Sequence, residues 1–82
     1  MNKIIVQYQP FVMEQKIMVL NENNKPISNY NVHIDQIPDL VATLSRKNVE
    51  EINLLGSKEY IAQQRKEIVD KVNNENIKII YV

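Results

Sequence analysis

The chain has 82 residues, enough for one small domain spanning residues 1–82, in the size range where a single hydrophobic core is only marginally sufficient. Ten basic and ten acidic residues cancel, so the composition provides no bulk electrostatic attraction to nucleic acid or to an anionic membrane. The absence of cysteine excludes disulfides and thiolate zinc ligands.

The composition also bears on location and origin. No apolar run approaches the about 20 residues that a membrane-spanning helix needs. Residues 1–4 lack the apolar segment and the small-residue cleavage site of a signal peptide, so we expect a cytoplasmic protein with no membrane partner. Lysine outnumbers arginine eight to two, and asparagine and isoleucine are abundant. This bias is typical of an AT-rich coding sequence, as in a low-GC bacterium or its phage.

The first 34 residues predict three strands that pair as an antiparallel meander. Apolar and polar residues alternate, most cleanly where Tyr30, Val32 and Ile34 share one face. Pro10 and the polar run Asn21–Pro26 mark the two turns. The strands are expected at residues 3–9, 12–20 and 27–34.

After residue 34 the apolar period changes from 2 to about 3.6, which predicts a helix. Four apolar residues fall at i, i+3, i+4 and i+7: Ile37, Leu40, Val41 and Leu44. Asp35 is expected to cap this helix, and Pro38 is tolerated in its first turn. Asn48 is expected to close it in the left-handed conformation.

A short apolar run, Ile52–Leu55, shows almost no alternation and predicts a strand covered on both faces, as in a parallel sheet. Gly56 follows at once and is the only glycine in the chain. Its position predicts a positive φ or a close backbone approach. Ser57 is expected to cap the next helix.

The second helix is expected over residues 58–73 and a well-covered last strand over residues 77–82. Ile61, Ile68 and Val72 form one apolar stripe, and Arg65 lies in the middle of it. Three interpretations of Arg65 are open. Its stem can lie on the sheet with the guanidinium in water, it can be paired and partly buried, or it can contact a partner.

The predicted fold is therefore α/β, of the mixed α+β kind, with the order βββαβαβ. Because strand–helix–strand crossovers join parallel strands and are right-handed, the two helices and five strands give one mixed sheet. The first strand is expected to be central, with the meander on one side and the last two strands parallel to it on the other. This element order resembles the core of the ribonuclease H-like and actin-like superfamily.

The resemblance implies a scaffold without the activities of that superfamily. Ribonuclease H-like nucleases hold divalent metals with carboxylates midway along the first strand and near the end of the fourth. The matching positions here are Gln7, Tyr8 and Gln9, and Asn53, Gly56 and Ser57. The pair Gln9–Pro10 stands where actin-like ATPases carry a phosphate loop. We therefore expect no catalytic residue, no metal and no cofactor.

Two groups of residues are candidate binding sites. The first comprises the start of the second helix and the arginine of its stripe: Gly56, Ser57, Lys58 and Arg65. Free backbone N–H groups at a helix start can hold an anion, although simple capping is commoner. The second comprises an apolar turn and a polar strand face: Phe11, Val12, Met13, Asn29, Asn31 and His33. The turn can contact a partner or pack under its own sheet, and the strand face can be solvated or docked.

These features favour a small non-enzymatic interaction or accessory module, encoded by a phage or mobile element. It would bind a protein partner or itself, for instance as a homodimer formed by edge pairing. One alternative is a nucleic-acid binder that uses the sheet or the helix start, with basic residues Lys3, Lys16, Lys58, Arg65 and Lys78. Another is a minimal metal-dependent nuclease-like enzyme that uses Asp35.

Overall fold

The computed structural model describes residues 1–81, so Val82, at the end of the predicted last strand, lies outside the described residues. The elements are β1 Asn2–Tyr8, β2 Glu14–Leu20, β3 Pro26–His33, a 3-10 turn Ile34–Gln36, α1 Ile37–Leu44, β4 Val49–Gly56, α2 Lys58–Val72 and β5 Lys78–Tyr81. Neither described helix has the length and apolar character needed to cross a bilayer.

The five strands form one mixed sheet with the order β3-β2-β1-β4-β5. β1 is antiparallel to β2 and parallel to β4, and β5 is parallel to β4. The predicted strand order and directions are confirmed, with β1 at the point where the sheet changes from antiparallel to parallel pairing.

The boundaries of two strands differ from the prediction by two residues or more. β2 begins at Glu14 rather than residue 12, because residues 9–13 form a separate loop. β4 begins three residues early, where Asn2 N–H donates to the Asn48 carbonyl at 2.6 Å and starts the pairing with β1. Asn48 has the expected left-handed conformation, with φ 57°, but it does not close the helix, because α1 ends at Leu44 with Ser45 as its cap.

Asp35 does not cap the first helix, contrary to the prediction. Its backbone N–H instead donates to Nδ1 of His33 at 3.2 Å, and the chain then makes a 3-10 turn before α1. The imidazole therefore caps the 3-10 turn, and α1 itself begins after Gln36 without a side-chain cap. Pro38 lies in the first turn of α1, as expected.

The hydrophobic core lies between one face of the sheet and the two helices. It contains Ile4, Val6, Tyr8, Ile17, Val19, Ile34, Ile37, Val41, Val49, Ile52, Leu54, Ile61, Ile68 and Ile77. Alternate positions point to the opposite face, where the side chains of Ile5, Asn53 and Leu55 are only half-buried. The prediction that the fourth strand is covered on both faces is therefore wrong, because both helices pack on the same side.

One chain of buried hydrogen bonds joins β1 to α2 and to the 3-10 turn. The Tyr8 hydroxyl donates to Oε1 of Gln64 at 2.6 Å, and Nε2 of Gln64 donates to the Ile34 carbonyl at 2.6 Å. Tyr8 is 1% exposed and Gln64 is 8% exposed. Because each group is paired, this network does not incur the cost of burying polar atoms without partners.

Tyr8 should ionise only well above the usual range of a tyrosine, because burial raises the pKa of its phenol. An unfolded tyrosine loses its proton near pH 10, at about its ordinary pKa. The folded state holds the proton longer, so this contribution to stability is complete below about pH 10 and is lost as the pH rises further. Ultraviolet absorbance titration of the wild type and of Tyr8→Phe measures this; the prediction fails if the phenolate absorbance of the two proteins already differs near pH 10, the ordinary pKa of tyrosine.

Candidate functional site

The parallel strands β1 and β4 end together, and Gly56 forms the corner. Its φ is 102°, and a Cβ placed on it would lie 2.0 Å from the Tyr8 carbonyl oxygen. The next residue, Ser57, donates its backbone N–H to that oxygen at 3.0 Å. Both expectations for this glycine are therefore confirmed, since it combines a positive φ with a close backbone approach.

Ser57 occupies the cap position of α2, but its hydroxyl makes no capping hydrogen bond, contrary to the prediction. Its own N–H is bonded to Tyr8 and is not available to an anion. Lys58 and Glu59 follow with opposite charges. Anion binding at Gly56, Ser57 and Lys58 stays a prediction, and the carboxylate of Glu59 opposes it electrostatically.

A cleft of about 350 Å³ lies beyond the carboxyl ends of these strands and is lined by Pro10, Phe11, Ser57, Lys58, Glu59 and Tyr60. In open α/β sheets, ligands bind outside the carboxyl ends of the strands, at the point where the strand order reverses. β1 is that point here. The fold thus brings the apolar turn and the helix start to one site, although they are distant in sequence.

Residues 9–13 form what we call the Phe11 loop. Phe11 is 98% exposed, and the neighbouring Val12 and Met13 are 42% and 54% exposed. These side chains therefore do not pack under their own sheet. Phe11 also has a φ of 66°, a left-handed conformation that a bulky residue rarely adopts.

The Phe11 loop is held in place by Gln15, which is 0% exposed. Its Oε1 accepts from Gln9 N–H at 2.6 Å, and its Nε2 donates to the carbonyls of Gln9 and Val12 at 2.9 and 2.7 Å. At the far end, Ile34 N–H donates to the Met13 carbonyl at 2.8 Å. The functional weight of Gln15 was missed in the sequence; the only signal was one amide among the apolar residues of that strand face.

The face of the sheet opposite the helices is named the open face. Asn29, Asn31 and His33 are exposed on it along the edge strand β3. Its middle carries half-buried apolar side chains and lysines: Ile5, Met18, Leu20, Leu55 and Ile80 with Lys3, Lys16 and Lys78. Strand register places His33 beside Glu14, next to the Phe11 loop.

Arg65 lies apart from the helix start with which it was grouped. It is exposed, and its Cζ lies 5.3 Å above the centre of the Tyr81 ring on β5. Gln64, not Arg65, lies within the buried stripe, which corrects the prediction. Because α2 packs against α1 as well as the sheet, its buried side is rotated toward α1, and the arginine side turns toward the short edge strand.

The only histidine and its acidic neighbour form an exposed pair, with His33 Nδ1 at 3.5 Å from Asp35 Oδ2. Within residues 1–81, no three histidine, aspartate or glutamate side chains are grouped so that they could hold a metal ion. Gln7 lies on β1 and Asn53 on β4, and both side chains face away from the helices.

No protein-family model matches the chain, and no curated protein matches it. Among solved structures, the chain is similar to the cytoplasmic domain of EpsL, an inner membrane component of the type II secretion system of Vibrio cholerae. The match has a TM-score of 0.50 and 7% sequence identity over 93% of this chain and 38% of that one. The chain therefore spans well under half of that structure, and at this identity the similarity concerns the mixed α/β fold alone.

Proposed function

We propose that this protein is a small non-enzymatic interaction module that inserts Phe11 into an apolar pocket of a partner protein. The observation that carries the proposal is the 98% exposure of Phe11 on a loop whose backbone is fixed by Gln15. Buried aromatic anchors dominate binding energy at protein interfaces. A loop that is already ordered also loses little conformational entropy when it binds.

The cost of this arrangement to the free protein supports the same conclusion. A left-handed backbone costs an L-residue about 1–2 kcal/mol. The 98% exposed phenylalanine ring makes almost no contact that would offset this cost. Strained and exposed residues of this kind cluster at functional sites, and burial of a phenylalanine side chain in a partner would return about 1.5–3 kcal/mol.

The wider setting follows from composition and element order. We place the module among the accessory proteins of a phage or mobile element of a low-GC bacterium, acting in the cytoplasm. The ribonuclease H-like and actin-like arrangement would serve as a scaffold, with Gln7 and Asn53 standing at positions that need acids in the nucleases. The helix start beside Phe11 would form the rim of the partner site.

Site-specific photo-cross-linking tests the proposal. Phe11 is replaced by p-benzoylphenylalanine, and the protein is irradiated in lysate of the bacterium that carries the gene. Val69, an exposed apolar residue on α2, receives the same replacement as a matched control. We expect a discrete adduct only from position 11, competed away by excess wild-type protein but not by Phe11→Asn, with the partner identified by mass spectrometry.

The competitor must remain folded, and the structure predicts that it does. Asparagine tolerates the left-handed conformation, so Phe11→Asn should keep the free energy of unfolding or raise it by up to about 1 kcal/mol. If Phe11→Asn competes as well as the wild type, Phe11 is not the anchor. If it lowers stability by more than about 1 kcal/mol, the side chain packs on its own chain instead.

Nucleic-acid binding is the rival that one observation favours, since Lys3, Lys16 and Lys78 all lie on the open face. Against it, the aromatic rings of Tyr8 and Tyr30 point to the helix side, away from these lysines. Fluorescence anisotropy with a labelled oligonucleotide at low salt separates the two. Salt-dependent binding lost in Lys16→Glu would favour the rival. Metal-dependent cleavage lost in Asp35→Asn would instead favour the nuclease-like alternative.

A further inference from the structure

The open face carries three cross-strand rows of side chains, defined by the register of β2, β1, β4 and β5. The central row runs Met18, Ile5, Asn53, Ile80. On one side of it lies the row Leu20, Lys3, Glu51, Lys78, and on the other the row Lys16, Gln7, Leu55. We propose that in solution this face is covered by the open face of a second copy of the chain, related by a two-fold axis.

The central row supplies the apolar part of the contact. Met18, Ile5 and Ile80 are half-buried by their neighbours in the sheet, and both helices lie on the opposite side. Leu20 and Leu55 extend the apolar surface diagonally from this row. Apolar side chains on both inner faces are what two sheets need in order to pack about 10 Å apart.

The charged row identifies the occupant. Its signs alternate as positive, negative, positive at Lys3, Glu51 and Lys78. Among residues 1–81, neither lysine has a carboxylate within 4.0 Å. Within the described part of the chain, the Glu51 carboxylate accepts one hydrogen bond, from Nδ2 of Asn53 at 3.0 Å. An acidic peptide or a phosphate backbone laid on this row would pair with the lysines but leave Glu51 against a like charge, whereas a second identical row offers a lysine to Glu51 and a carboxylate to Lys3.

Two-fold symmetry would pair the unlike charges of the two rows. A two-fold axis that runs along the strands between β1 and β4 exchanges these two strands across the interface. Lys3 of one copy then lies opposite Glu51 of the second copy, and the reverse pair forms as well. The same axis places Met18 opposite Ile80. This isologous arrangement keeps the two sets of strands nearly aligned, as in sheet sandwiches.

The size of the face sets the expected strength. Four strands spaced about 4.8 Å apart and three rows about 6.8 Å apart give a projected area of about 400 Å² per copy. Standard interfaces bury about 800 Å² per partner, so we expect a weak dimer with a dissociation constant in the micromolar range or above. Lys16 and Glu14 lie toward the rim, where charges contribute little to affinity.

Sedimentation velocity tests this with the full chain over protein concentrations from about 1 μM to about 1 mM, which bracket such affinities. We expect the mass to rise from 9.6 kDa toward twice that value. Lys3→Glu and Glu51→Lys should each weaken the dimer about tenfold, because each replaces two attractive pairs with two repulsive ones. The double charge swap should return the dissociation constant to within about threefold of the wild type.

Three results would overturn the inference. The protein could stay monomeric at the highest concentration, the single charge reversals could leave the dissociation constant unchanged, or they could raise it without the double swap restoring it. Since Lys3 and Glu51 also neighbour each other within one chain, thermal melting of dilute protein reports that effect separately. Ile5→Lys should abolish the dimer, whereas Val69→Lys, on the helix side, should not.

The inference is independent of the Phe11 anchor, and one variant separates them. Phe11→Asn should leave the dimer unchanged, because Phe11 lies in the loop beyond the end of β1 and not in any of the three rows. If Phe11→Asn abolishes self-association, the open-face dimer is wrong and the anchor binds a second copy instead. If no cross-linked adduct forms at position 11 but the charge reversals weaken the dimer and the double swap restores it, the dimer is supported and the role of Phe11 as an anchor is wrong.

Discussion

Gly56→Ala should lower the free energy of unfolding by about 3–5 kcal/mol, the largest loss expected from any substitution discussed for this protein. The added Cβ would lie 2.0 Å from the Tyr8 carbonyl oxygen, a backbone atom of the central strand. The φ of 102° is also unfavourable for any L-residue. A domain of 82 residues has only about 4–12 kcal/mol in total, so a large part of its stability would be lost.

Urea unfolding followed by circular dichroism measures this loss as a lower midpoint with an unchanged slope. Asn73→Ala is the matched control, because Asn73 also has a positive φ, 45°, at the end of α2. It should cost only about 1 kcal/mol, the penalty for the backbone conformation alone. If the free energy of unfolding falls equally in the two variants, the close approach to Tyr8 does not contribute to the loss in Gly56→Ala.

Gln15→Leu should have the second-largest effect, lowering the free energy of unfolding by about 3 kcal/mol. The substitution removes three hydrogen bonds and leaves the Gln9 N–H and the carbonyls of Gln9 and Val12 without their partner. Gln7→Leu is the control on the next strand, where the glutamine side chain is exposed. It should change stability by no more than about 0.5 kcal/mol.

The loss in Gln15→Leu should be local as well as global. Amide hydrogen exchange is expected to show faster exchange at Gln9, while the β1 amides that pair with β2 and β4 stay protected. The released Phe11 loop should also cross-link less efficiently, because it would have to be ordered again on binding. Unchanged exchange at Gln9 would mean that Gln15 does not hold the loop.

Periodicity in the sequence was sufficient to predict the architecture. The alternation from Tyr30 to Ile34, the helical spacing from Ile37 to Leu44 and the crossover rule together gave the strand order that the structure has. Gly56 was also predictable, because a single glycine between a strand and a helix has few roles other than the one it performs. These are local or topological constraints, which are written directly in residue order.

Which side chains are buried and which faces of the elements are exposed was decided by the tertiary structure. Helical spacing cannot choose between Gln64 and Arg65, since the choice depends on where α1 packs against α2. Spacing along β4 likewise cannot tell whether one face or both are covered, because that depends on which side the helices occupy. The meeting of Phe11 with Ser57 arises only when β1 and β4 end together, and the burial of Gln15 only when residues 9–12 close around its amide. Sequence patterns encode which residues share a face of one element, whereas packing between distant elements decides which faces are covered and which remain open for a partner.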